Sequence, residues 1–85
     1  MKHAGPDALK QLESLLDRLR ELPGLSERST GIFYRKSKPF LHFHEDPTGL
    51  YADVRIEVEF ERFPVNSEGE KSALLKAIAR VIAPA

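Results

Sequence analysis

From Ala8 onward, leucines recur at Leu9, Leu12, Leu15, Leu16, Leu19 and Leu22, with Lys10, Glu13, Asp17, Arg18, Arg20 and Glu21 between them. That spacing gathers the leucines into one stripe and predicts an amphipathic helix. Pro6 suits its first turn, where the missing N–H would be an orphan anyway, and Pro23-Gly24 stops it. Residues 25–29, LSERS, read as a polar connection. The period then changes. Thr30–Arg35 (TGIFYR) is β-branched and aromatic and predicts a strand. Lys36-Ser37-Lys38 predicts a turn. Phe40–Glu45 (FLHFHE) predicts a second strand, entered through Pro39, where a lost donor is tolerated. Asp46-Pro47-Thr48-Gly49 has the residue order of a type I turn. After it, Leu50, Ala52, Val54, Ile56, Val58 and Phe60 alternate with Tyr51, Asp53, Arg55, Glu57, Glu59 and Glu61. This alternation predicts a half-buried strand, long enough that a bend or break near 57–59 is expected. Ser67-Glu68-Gly69-Glu70 has the S-x-x-E form of a capping box, so Ser67 should N-cap a last helix. Ala73, Leu74, Ala77, Ile78, Val81 and Ile82 supply its apolar face, and Pro84 ends it.

Helix, three or four antiparallel strands, helix is the order of an α+β fold. The economical form is a two-layer sandwich: one meander with both helices on one face. One domain accounts for residues 1–85, with residues 1–5 expected to be disordered. A tight turn at 46–49 sets Glu45 against Leu50, Phe43 against Ala52 and Leu41 against Val54. The two apolar sets then coincide, as a buried face demands. It also sets His42 against Asp53 and His44 against Tyr51. A bulge at Gly49 would slip this register by one and is the alternative. Turning the first strand back tightly at Lys36-Ser37 places Phe33 near Phe40. The face away from the helices would then carry Phe33, Phe40, His42, His44, Tyr51, Asp53 and Arg55.

Composition narrows what such a face can do. Thirteen Lys and Arg balance thirteen Asp and Glu, so the chain lacks the basic excess that neutralises phosphates, and nucleic acid is not an expected partner. There is no cysteine, hence no disulfide framework, cysteine zinc site or thiol nucleophile. This agrees with a cytoplasmic location. Residues 1–7 carry no apolar run of the signal-peptide kind, and no apolar run approaches the roughly 20 residues of a membrane span.

His42 and His44 stand two apart on one strand, so their imidazoles share a side and can converge on one ion. Asp53, or Asp46, would be the third ligand of a zinc or other divalent metal site with possible hydrolytic chemistry. His42 beside Asp53 also has the form of an oriented imidazole base. No nucleophile accompanies it: Ser26 and Ser29 lie in a connection, Ser37 in a turn, and Ser67 at a helix cap. The residues favour binding over catalysis, with no catalytic residue assigned and no cofactor required outside the metal alternative. Glu57, Glu59 and Glu61 read as a solvated face or an edge guard. Tyr34, Arg35, Lys36 and Lys38 form a basic tip, read as a solvated turn or, more sharply, as an anion site.

The block Gly31-Ile32-Phe33-Tyr34-Arg35, then Phe40-Leu41-His42-Phe43-His44, then Leu50-Tyr51-Ala52-Asp53-Val54 resembles the centre of the small luciferase-like domain family. There an H-x-H strand precedes an aspartate-bearing one. The layout is also similar to the MmcQ/YjbR-like proteins. The resemblance spans roughly residues 22–56, and the Val54–Phe60 alternation departs from it. It implies a bacterial, cytoplasmic, stand-alone domain and singles out His42, His44 and Asp53. The expected function is a binding or interaction module working through the open sheet face, for a protein or a small ligand. A homodimer through that face is the nearest version.

Overall fold

The computed structural model describes residues 2–83. Along them run β1 (Lys2–His3), α1 (Pro6–Gln11), α2 (Glu13–Arg20), β2 (Ser26–Ser29), β3 (Ile32–Arg35), β4 (Lys38–Asp46), β5 (Gly49–Arg55), β6 (Phe60–Pro64) and α3 (Glu68–Ile82). The described strands form one six-stranded sheet in the order β2-β3-β4-β5-β6, with β1 pairing to β4, and every pairing is antiparallel. The fold is α+β.

Leu12, Leu15, Leu16 and Leu19 of the N-terminal helices, and Leu74 and Ile78 of α3, pack with Phe33, Leu41, Phe43, Ala52 and Val54 of the sheet. Each such leucine, fully withdrawn from water, contributes about 1.5–3 kcal/mol of transfer free energy. Among the described residues, this leaves the sheet face of His42, His44 and Tyr51 without a helix over it. The leucine stripe is shared by two helices rather than one. The break falls at Leu12, whose N–H bonds Leu9 O three residues back and whose carbonyl accepts from Leu16 N. Ser67 caps α3 as its motif predicts: its side chain accepts from Glu70 N, while Glu70 returns a carboxylate to Ser67 N. Pro84, expected to end that helix, lies outside the described residues, as does Met1.

The β4–β5 register is the one that makes the apolar sets coincide: Leu41↔Val54, His42↔Asp53, Phe43↔Ala52, His44↔Tyr51, Glu45↔Leu50 and Asp46↔Gly49. Asp46 Oδ2 pins the turn by accepting from Thr48 N and Oγ1.

Four expectations are corrected. Lys2 and His3 are not disordered. They pair with Glu45 and His44 along the stretch of β4 that β3 does not cover, and Ala4 N donates to Phe43 O. LSERS is not a mere connection: residues 26–29 are an edge strand on β3, held by backbone pairing rather than by any apolar pattern. The break expected near 57–59 falls at 56–59, and beyond it Val58 and Phe60 do not keep to the core face of Leu50, Ala52 and Val54: Phe60 starts a new strand and Val58 is 82% exposed. Finally, the β3–β4 register slips by one between Phe33 and Tyr34, giving Phe33↔Leu41 but Tyr34↔Pro39. The extra residue is Phe40. The bulge turns both Phe33 and Phe40 into the core, 1% and 3% exposed, and removes them from the open face.

Candidate functional site

The open face is organised by Asp53, which is 8% exposed and is the buried charged residue of the core region. Its strand lies between β4 and β6, so cross-strand pairing puts His42 on one side and Arg62 on the other. Arg62 Nε and Nη2 donate to Asp53 Oδ1 and Oδ2 at 2.8 and 2.9 Å, a bidentate pair. His44 Nε2 lies 3.1 Å and His42 Nε2 3.6 Å from Asp53 Oδ2. The diagonal histidine is therefore nearer than the one directly opposite. The Arg62 guanidinium holds the Asp53 carboxyl below the usual aspartate range, against the opposing effect of burial. The same bond raises Arg62 above its ordinary value.

The histidines form one ring cluster. His3 stacks on His44 with centroids 4.7 Å apart and lies 5.6 Å from His42; His42 meets His44 edge-on at 4.8 Å. Phe60 closes the far side, its ring 5.0 Å from that of His42. Burial, followed by the nearby charge of His44, lowers the His42 pKa, with Asp53 opposing in part. Nδ1 of His44 is buried without a hydrogen-bond partner. Tyr51 shares the face but turns its hydroxyl to Thr48 Oγ1 at 2.8 Å. Arg55 lies at the rim, its guanidinium 4.8 Å from the Phe60 ring centre.

Of the residues named from sequence, His42, His44, Tyr51, Asp53 and Arg55 are thus on one face, and Phe33 and Phe40 are behind it. Asp46, offered as an alternative ligand, is engaged by Thr48 and stands apart from the cluster. Three members were missed. His3 lies within residues 1–5, where the sequence has no periodic pattern to place it. Phe60 has the sequence parity of the core-facing Leu50, Ala52 and Val54, and the 56–59 break changes that parity. Arg62 belongs to no sequence motif; it meets Asp53 through the β5–β6 register.

One donor atom from each of His42, His44 and Asp53 can be chosen so that all lie within 4.8 Å of one another. Two imidazoles and a carboxylate fit a zinc-type ion. Arg62 does not, because it occupies both carboxylate oxygens and sets a fixed positive charge against any cation there. Comparison with protein-family models, curated proteins and solved structures returns no match to this chain. No described helix is long and apolar enough to cross a membrane.

Proposed function

We propose that the chain is a small bacterial, cytoplasmic binding module whose contact surface is the helix-free face of its sheet, and that a second copy of the chain is its nearest partner. The observation that supports this is the make-up of the face. A merely solvated face carries mobile polar side chains, whereas here three imidazoles, Tyr51 and Phe60 surround one neutralised carboxylate. Rigid, flat side chains of this kind lose little conformational entropy on contact and dominate binding surfaces. Phe60, its ring against His42, extends the surface at its rim and is one of the three exposed large hydrophobic residues described. A two-fold dimer would cover both copies of the face with one self-complementary contact.

The test is light scattering from 10 µM to 1 mM with ¹H–¹⁵N spectra at each concentration. Mass is expected to rise from 9.6 kDa toward twice that value, with the moving signals at His3, His42, His44 and Phe60. Phe60→Ser should hold the chain monomeric. A monomer at 1 mM with unmoving face signals would remove the second copy as partner.

A second reading is carried by the convergence of His42, His44 and Asp53: a divalent-metal site with hydrolytic potential. It requires Arg62 to leave Asp53. Zinc that moves the His42 and His44 ring signals together at micromolar concentration supports it, and rings indifferent to zinc dispose of it.

A further inference from the structure

At the opposite end of the sheet from the Asp46–Gly49 turn, the β3–β4 turn and the 56–59 connection border a cleft of about 370 Å³. Arg35, Lys36, Lys38 and Arg55 line it, with Glu57 as the one acid. In a chain whose formal charge sums to zero, this is a marked local excess. None of these four cations is in an ion pair among the described residues, whereas Arg20 grips Glu13, Asp17 and Glu27, and Arg62 grips Asp53. The fold holds the guanidiniums without neutralising them. Arg35 Nη2 donates to Val81 O at 3.3 Å, and Arg55 lies over the Phe60 ring. Arg55 Nε is buried with no hydrogen-bond partner. The turn that presents the lysines is also unusual. Lys36 and Ser37 take φ of 53° and 66°, left-handed backbone that Asn-Gly fills more readily in a two-residue hairpin loop. Like charges gathered, a donor left over and a strained turn at one place are together the marks of a site that expects an anion.

We propose that this cleft binds a phosphate monoester, with the dianionic phosphoryl group held by Arg35 and Arg55 inside the field of Lys36 and Lys38. A guanidinium offers Nε and one Nη as a parallel pair to an oxyanion, and turning that edge of Arg55 to the ligand satisfies a donor that the fold leaves unmet. Two negative charges suit four cations better than the single charge of a carboxylate does. The apolar wall of Phe40, Ile56 and Val58 gives the organic part of the ester a surface. A single phosphoryl group fits better than a nucleic-acid backbone, because the cations are confined to one cleft of a neutral chain rather than spread along a track.

Phenyl phosphate, inorganic phosphate and sodium chloride at matched ionic strength, each titrated into ¹⁵N-labelled chain, test this. Phenyl phosphate should give saturable shifts confined to residues 35–38 and 55–58, and should bind several-fold tighter than inorganic phosphate. Arg55→Gln and, separately, Lys38→Gln should weaken binding by about tenfold and a few-fold as paired donors and field are lost; Lys10→Gln on α1 should change nothing. Lys38 lies exposed at the turn, so its variant keeps the test open if Arg55→Gln fails to fold. Shifts that follow ionic strength alike in all three salts, or that survive Lys38→Gln unchanged, would overturn the site. Equal affinity for the two phosphates would overturn the monoester and leave free phosphate as the ligand. The histidine ring signals in the same spectra report the open face separately, so either surface can fail alone.

Discussion

Asp53 on β5 and Arg62 on β6 are paired in register, and the guanidinium takes both carboxylate oxygens, at 2.8 and 2.9 Å. That one contact determines how the histidine face behaves. It keeps the carboxylate ionised under cover of the rings, and it blocks the carboxylate from serving a cation.

Arg62→Gln therefore frees a ligand and removes a repelling charge at once. Zinc affinity at His42, His44 and Asp53 is expected to rise by about tenfold or more over the parent chain. Calorimetric titration of both proteins measures it; equal or weaker binding in the variant would show that these side chains do not converge on metal.

Acid should destabilise the domain in two stages. His42 and Asp53 both have folded-state pKa values below their ordinary ones. The unfolded chain then binds more protons than the folded one, so stability rises with pH across each window. The His42 contribution is complete above about pH 6.5 and falls away as pH drops through its lower folded value; that of Asp53 is lost only below about pH 3.9. Urea midpoints from pH 8 to 3 follow both. His42→Gln should flatten the first stage and spare the second.

Ser37 has a left-handed backbone that glycine adopts without steric penalty. Ser37→Gly is expected to stabilise the domain by about 0.5–1 kcal/mol, the relief of the turn offset in part by the freedom glycine gives the unfolded chain. A denaturation midpoint that drops instead would mean that the turn is relaxed as it stands.

Burial separates the helix side from the rim. Leu16, fully buried, should lose about 2–5 kcal/mol on replacement by alanine. Ser67→Ala removes one half of the α3 capping box and should lose about 1 kcal/mol. Val58→Ser, at an 82% exposed position, should stay within about 0.5 kcal/mol of the parent. Chemical denaturation of the three variants side by side gives the ranking.

The chain's own pattern determined a good deal. Leucine spacing placed the N-terminal helical segment, the S-x-x-E motif placed the start of α3, and the parity of Leu41 and Phe43 against Ala52 and Val54 determined the β4–β5 register, because a one-residue slip would drive the histidines into the core. From that register followed the meeting of His42 and His44 with Asp53. Tertiary structure alone decided the rest. Lys2 and His3 become a strand only because β4 leaves backbone groups open beyond the end of β3, and β2 forms because β3 offers it an edge; neither has an apolar period of its own. A single extra residue at Phe40 reset a period-two count that looked continuous, and the expected break near 57–59 changed the phase beyond it, so that Phe33 and Phe40 were exchanged for Phe60 on the open face. Side-chain alternation is a local property, but its phase is not: it is set by which backbone groups find partners across the sheet, and that is how Arg62 comes to face Asp53.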